Sequence, residues 1–137
     1  MLYHLPRPTR LRVGALGCFA LPAGWYVYTG SAFGPGGLAA RVARHRACAR
    51  HLTSPGDPPR APHWHVDYLA AVAALKEVVL LPERERRECA HARYLQTLPG
   101  ASVPVPRFGA SDCRCPAHLV RFAQRPPRSS LRTTDGC

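Results

Sequence analysis

Residues 25–29, Trp-Tyr-Val-Tyr-Thr, are aromatic or β-branched throughout and run directly into Gly30-Ser31-Ala32. Such side chains suit a pleated, partly buried surface, so the segment is read as a strand. Alternation sends Trp25, Val27 and Thr29 to one face and Tyr26 and Tyr28 to the other. Around it, Leu11, Val13 and Ala15 alternate with Arg12 and Gly14, and residues 1–5 form a short apolar segment behind the turn-like Pro6-Arg7-Pro8-Thr9. These pieces predict a small antiparallel sheet, with residues 78–81 as a third or fourth strand.

The helical signals follow the sheet signals. Phe33-Gly34-Pro35-Gly36-Gly37 breaks the chain before a good helix over 38–47. A second helix is expected to open near 63–67, a third covers 83–98, and a short terminal helix is expected over 115–124. Residues 53–62 read as a polar, proline-rich surface loop, and 99–112 as a loop rich in Gly and Pro. The fold class is therefore α+β: a central antiparallel sheet of about three strands flanked by helices. One domain is expected over 1–124, with a disordered Arg/Pro/Ser-rich tail over 125–137.

A chain of 137 residues suits one domain with a small core. It has no apolar run of membrane-spanning length and no basic-then-apolar leader, so it reads as soluble and cytoplasmic, with no membrane partner. Charge says more. Nineteen Lys+Arg against eight Asp+Glu give +11, and Lys76 is the single lysine. Such a surface attracts polyanions by neutralising phosphates, and Arg adds bidentate phosphate recognition. A GC-rich coding bias toward Arg, Ala, Pro and Gly would give a similar composition. The six cysteines, at 18, 48, 89, 113, 115 and 137, read as reduced thiols, either buried or metal-bound.

Chemistry concentrates after the aromatic strand. A tyrosine hydroxyl at a strand end can face an open site, and Gly30 permits close backbone approach to a phosphate. Arg41 and His45, at i and i+4, lie on one helix face. A tyrosine, an arginine and a histidine around one point suit phosphodiester hydrolysis, which needs water activation, charge stabilisation and usually a metal. The plainer alternative is a basic helix packed beside an aromatic strand.

The later motifs widen the pattern. Tyr28-Thr29-Gly30-Ser31-Ala32 resembles the second half of the GIY-YIG nuclease signature, and Arg41-x-x-x-His45 resembles that family's catalytic helix. The segments 24–32, 36–45, 64–69, 88–89 and 108–115 together resemble the small stand-alone branch described as Uri superfamily endonucleases. They occur in order from about residue 3 to 122. The resemblance implies a divalent-metal-dependent endonuclease acting on DNA, with Tyr3, Tyr28, Arg41, His45 and Glu88 catalytic. Arg41 would stabilise the transition state, and His45 would transfer a proton or contact phosphate. Glu88 would hold a single Mg²⁺ or Mn²⁺, whereas Glu83 and Glu85 lie in an alternating charge run read as a solvated face. Gly30, Ser31, Arg44, His65 and Asp112 would line the substrate groove. Met1 stands where the first motif has its glycine, so the strand carrying Tyr3 is expected to fray.

Two clusters are read both ways. Trp64 and Tyr68 can pack a core while His65 and Asp67 hydrogen-bond within it, or the polar pair can face the site. Cys113-Arg114-Cys115 with His118, plus Cys89 or His91, could hold a structural Zn²⁺, but a CxC with one downstream His is an incomplete set. Small buried cysteines in a turn are the favoured reading there. The alternative functions are a nucleic-acid-binding module of the same fold without catalysis and a small zinc-stapled interaction protein.

Overall fold

A computed structural model describes residues 1–50 and 61–132. Four strands form an antiparallel sheet in the order β5-β1-β4-β6: β1 (Leu2–Leu5), β4 (Gly24–Tyr28), β5 (Ala74–Glu77) and β6 (Leu119–Phe122). A separate hairpin pairs β2 (Thr9–Arg12) with β3 (Cys18–Leu21). The α-helices among the described residues are α1 (Gly37–Ala49), α2 (His65–Ala70) and α3 (Glu88–Thr97). The α+β class and the antiparallel sheet are as expected, with four strands in place of about three.

Alternation along the central strands explains why the sheet is covered on both faces. Tyr3 and Leu5 of β1 and Tyr26 of β4 join Leu69 and Phe108 in one buried cluster, with Tyr28 packed against it. Leu2 and Val27 point the other way, into a second cluster with Leu95 of α3 and Val120 and Phe122 of β6. Strands β1, β4 and β6 therefore each contribute to two cores, the arrangement that period-two alternation dictates.

Several boundaries differ from expectation. Where a terminal helix over 115–124 is expected, Leu119–Phe122 forms β6 instead, because it finds an antiparallel partner in β4. The fifth strand lies at 74–77 rather than 78–81, where it pairs with β1. Helix α3 begins at Glu88; residues 83–87 are not helical, and Glu83 instead accepts from His91 at 2.7 Å. The tail expected from residue 125 does not begin there. Arg125 and Arg128 both pair with Glu77, and Leu131 is buried against the second cluster, so side-chain partners hold this segment down to residue 132. Residues 133–137, and the proline-rich loop up to residue 60, lie outside the described residues.

The first strand is not a frayed edge. It lies between β4 and β5, Tyr28 N–H donates to the Met1 carbonyl at 2.9 Å, and the terminal amine donates to the Tyr28 carbonyl at 2.8 Å. Burial lowers the pKa of that amine to about 6. Among the described residues, no helix is long and apolar enough to cross a membrane.

Candidate functional site

The C-terminal end of β4, the inward face of α1, the start of α3 and the 109–118 loop meet at a polar cleft of about 290 Å³. Tyr28, Arg41, His45 and Glu88 all line it. Gly30, Ser31, His65 and Asp112 complete its wall. The same four catalytic candidates also border an adjoining, more apolar groove of about 470 Å³, toward Leu38 and Val79.

The helix contributes through its periodicity. Arg41, Arg44 and His45 fall on one face of α1 and converge on Trp64: the two guanidinium carbons stand 4.3 and 4.0 Å from its ring centroid, and the His45 ring centroid 5.6 Å away. Trp64 packs against the first core cluster, as expected, and its ring also acts as a platform that fixes the direction of Arg41. Arg44, expected in the substrate groove, is held elsewhere. It donates to Asp67 Oδ2 at 2.8 Å and does not line the cleft.

Asp67 is itself enclosed. Its Oδ2 accepts from the backbone N–H groups of His63 (2.9 Å) and Trp64 (3.0 Å) as well as from Arg44. This matches the reading in which Asp67 hydrogen-bonds within the core. His65 does both jobs: its Nδ1 accepts from the Gly109 N–H at 2.8 Å, while the residue borders the cleft.

Electrostatics separates the roles of the titratable groups. Burial raises the Tyr28 pKa to about 12, against an opposing pull from Arg41, so the phenol keeps its proton and can donate a hydrogen bond. His45 is lowered to about 4, chiefly by burial, with Arg41 and Arg44 adding to the effect and Asp67 opposing it. Its imidazole is neutral at pH 7 and able to accept a proton. Tyr3 is fully buried, does not line the cleft, and shares the core cluster against which Tyr28 packs.

Glu88 lies in the cleft beside the end of β4. Thr29 Oγ1 donates to its backbone carbonyl at 3.2 Å, tying the start of α3 to the end of β4. Its Oε2 is buried and has no hydrogen-bond partner. A buried carboxylate oxygen without a donor is costly unless a cation meets it, so the group fits a hard divalent ion. Glu77 and Glu83 are engaged by Arg125 and Arg128 and by His91, respectively.

Beside Glu88 on the same helix, Cys89 meets Cys113, Cys115 and His118, and their four ligand atoms all lie within 4.8 Å of one another. The CxC read from sequence as an incomplete set is thus completed by Cys89, and His91 turns instead to Glu83. Burial and hydrogen bonds with Cys115 and Cys113 push Cys89 up to about 12. Arg107, unnoticed in the sequence, braces the loop: its guanidinium donates to the carbonyls of Cys113 (2.6 Å) and Cys115 (2.7 Å).

Gly109 joins the two halves of the site. It sits at φ 70°, and a Cβ there would lie 2.7 Å from Tyr28 Cε2 and 3.1 Å from His118 Cβ. Gly109→Ala is expected to destabilise the fold by about 1–3 kcal/mol more than Gly100→Ala. Gly100 shares the left-handed backbone at φ 77° but has nothing within 4 Å of the added atom. Urea unfolding of the two variants measures the difference; equal losses would show that Tyr28 is not packed as described.

The fold and cleft define an α+β domain that brings the Glu88 carboxylate, the His45 imidazole, the Tyr28 phenol and the Arg41 guanidinium to one cleft. The family model described as domain of unknown function DUF123 matches residues 1–134, so the chain belongs to that family. No curated protein and no solved structure matches the chain.

Proposed function

We propose that the chain is a divalent-metal-dependent endonuclease that hydrolyses DNA phosphodiesters, with an active site of the GIY-YIG type. The observation that carries this reading is the convergence of Tyr28, Arg41 and His45 on the cleft that holds the unpartnered Glu88 Oε2. The ordered resemblance across the chain supplies the reaction, and the +11 charge suits a polyanionic substrate.

Each residue has a distinct task. Arg41, stacked on Trp64, faces the phosphate and stabilises the added negative charge of the five-coordinate transition state. Neutral His45 accepts the proton of the attacking water as its oxygen adds to phosphorus. The phosphorus–oxygen bond on the opposite side breaks, and the leaving sugar oxygen takes up a proton from solvent water, while His45 returns its proton to solvent. Tyr28 donates a hydrogen bond to a phosphate or water oxygen, and Tyr3 supports Tyr28 from within the shared core. Gly30 and Ser31 bring small residues against the backbone of the substrate. Glu88 would hold Mg²⁺ or Mn²⁺, and that ion would supply Lewis acidity toward the phosphate and the attacking water.

Purified protein incubated with branched, nicked and linear DNA and either metal is expected to cleave at least one of these. Arg41→Ala is expected to lower the cleavage rate by about 10²–10³-fold, the usual loss for one preorganised donor at developing charge. Rates unchanged by that substitution would remove Arg41 from the site. Salt-sensitive DNA binding without cleavage under either metal would favour the non-catalytic binding module.

A further inference from the structure

We infer that Cys89, Cys113, Cys115 and His118 bind one structural Zn²⁺, which staples the N-terminus of α3 to the loop leading into β6. The four ligand atoms lie within 4.8 Å of one another, although Cys89 is far from the others in sequence. The distances fit the ion. His118 Nε2 stands 3.4 Å from Cys89 Sγ and 3.5 Å from Cys113 Sγ. Tetrahedral zinc with ordinary Zn–S and Zn–N bonds places sulfur and nitrogen about 3.5 Å apart.

The ligand chemistry selects the metal. Three sulfurs and one imidazole favour zinc over the hard oxygen-seeking ions proposed for Glu88. Four protein ligands leave no open position, which makes the site structural rather than catalytic. Cys115 and His118 are almost fully buried, at 1% and 4% exposed, so half of the ligand set is already inside the protein. The loop is also shaped for it: Arg107 holds the carbonyls of both cysteines of the CxC, and the His118 N–H donates to the Phe108 carbonyl at 2.7 Å.

The position gives the ion a further consequence. Glu88 and Cys89 are consecutive on α3, and Gly109, which contacts Tyr28, lies on the loop that carries Cys113 and Cys115. Zinc at this point therefore locks the separation between the carboxylate and the opposite wall of the cleft. A hard and a soft metal site stand side by side at one helix start. The zinc assignment does not depend on the nuclease reading, since it concerns binding and not turnover.

Full-length protein purified under reducing conditions without chelator, and analysed by plasma mass spectrometry, is expected to carry about one zinc per chain. Cys89→Ser and Cys113→Ser are each expected to lower that content to below about a tenth, whereas Cys18→Ser and Cys48→Ser keep it. Because a ligand variant could fail to fold, wild-type protein stripped of metal and reloaded with Co²⁺ supplies a second measurement. The visible absorption of tetrahedral cobalt and a thiolate charge-transfer band are expected, together with a higher melting temperature. Metal-free wild type, an octahedral cobalt spectrum, zinc retained by the Cys89→Ser, Cys113→Ser double variant, or a disulfide among these cysteines in the native protein would each overturn the inference.

Discussion

Glu88→Gln is expected to lower metal-dependent DNA cleavage by about 10³-fold or more while leaving the fold intact. The substitution keeps the shape of the side chain and removes only its charge. That charge is what a hard cation requires, since Glu88 Oε2 is buried without a donor of its own. Two other glutamates are already engaged: Glu83 is paired with His91, and Glu77 with Arg125 and Arg128. Initial rates with Mg²⁺ and Mn²⁺ measure the loss, and DNA affinity without metal should be retained, because the substitution removes a negative charge from the cleft proposed to take the phosphate. A Glu88→Gln enzyme cleaving within about tenfold of the wild type would place the metal on another residue.

Asp67→Ala is expected to cost about 3 kcal/mol of stability, the largest loss predicted for a single side chain outside the apolar core. Its Oδ2 satisfies two backbone N–H groups at the start of α2 and pairs with Arg44, whose Nε is itself buried without a partner. Removing the carboxylate strands three donors in a region that excludes water. The effect should reach the site, because Arg44 and Arg41 both rest on Trp64, whose N–H the same carboxylate holds. Urea unfolding gives the stability change, and a loss below about 0.5 kcal/mol would show the network to be solvated. Asp67→Asn should recover part of it, since the amide oxygen can still accept from the backbone.

Much of the site was legible because it rests on local periodicity. Alternation in residues 25–28 alone placed Tyr26 and Tyr28 on the face opposite Trp25 and Val27, and the two clusters occupy those faces. The i, i+4 spacing of Arg41 and His45 put both in one cleft for the same kind of reason. Arg44 shows where that logic ends. Spacing places it on the helix face with the other two but does not say that Asp67 holds it away from the groove.

What the sequence determined by itself was the α+β class, the two-faced strand and the helix face bearing Arg41 and His45, because periods of 2.0 and 3.6 are properties of the local backbone. Tertiary structure alone decided three things. Residues 119–122 became a strand because β4 offered them an antiparallel partner, which no local propensity could reveal. Residues 125–132 were held by Glu77 and a buried Leu131. And Cys89 joined Cys113, Cys115 and His118 because the fold carries α3 against the loop before β6, so a ligand set that spacing leaves incomplete is closed only in three dimensions.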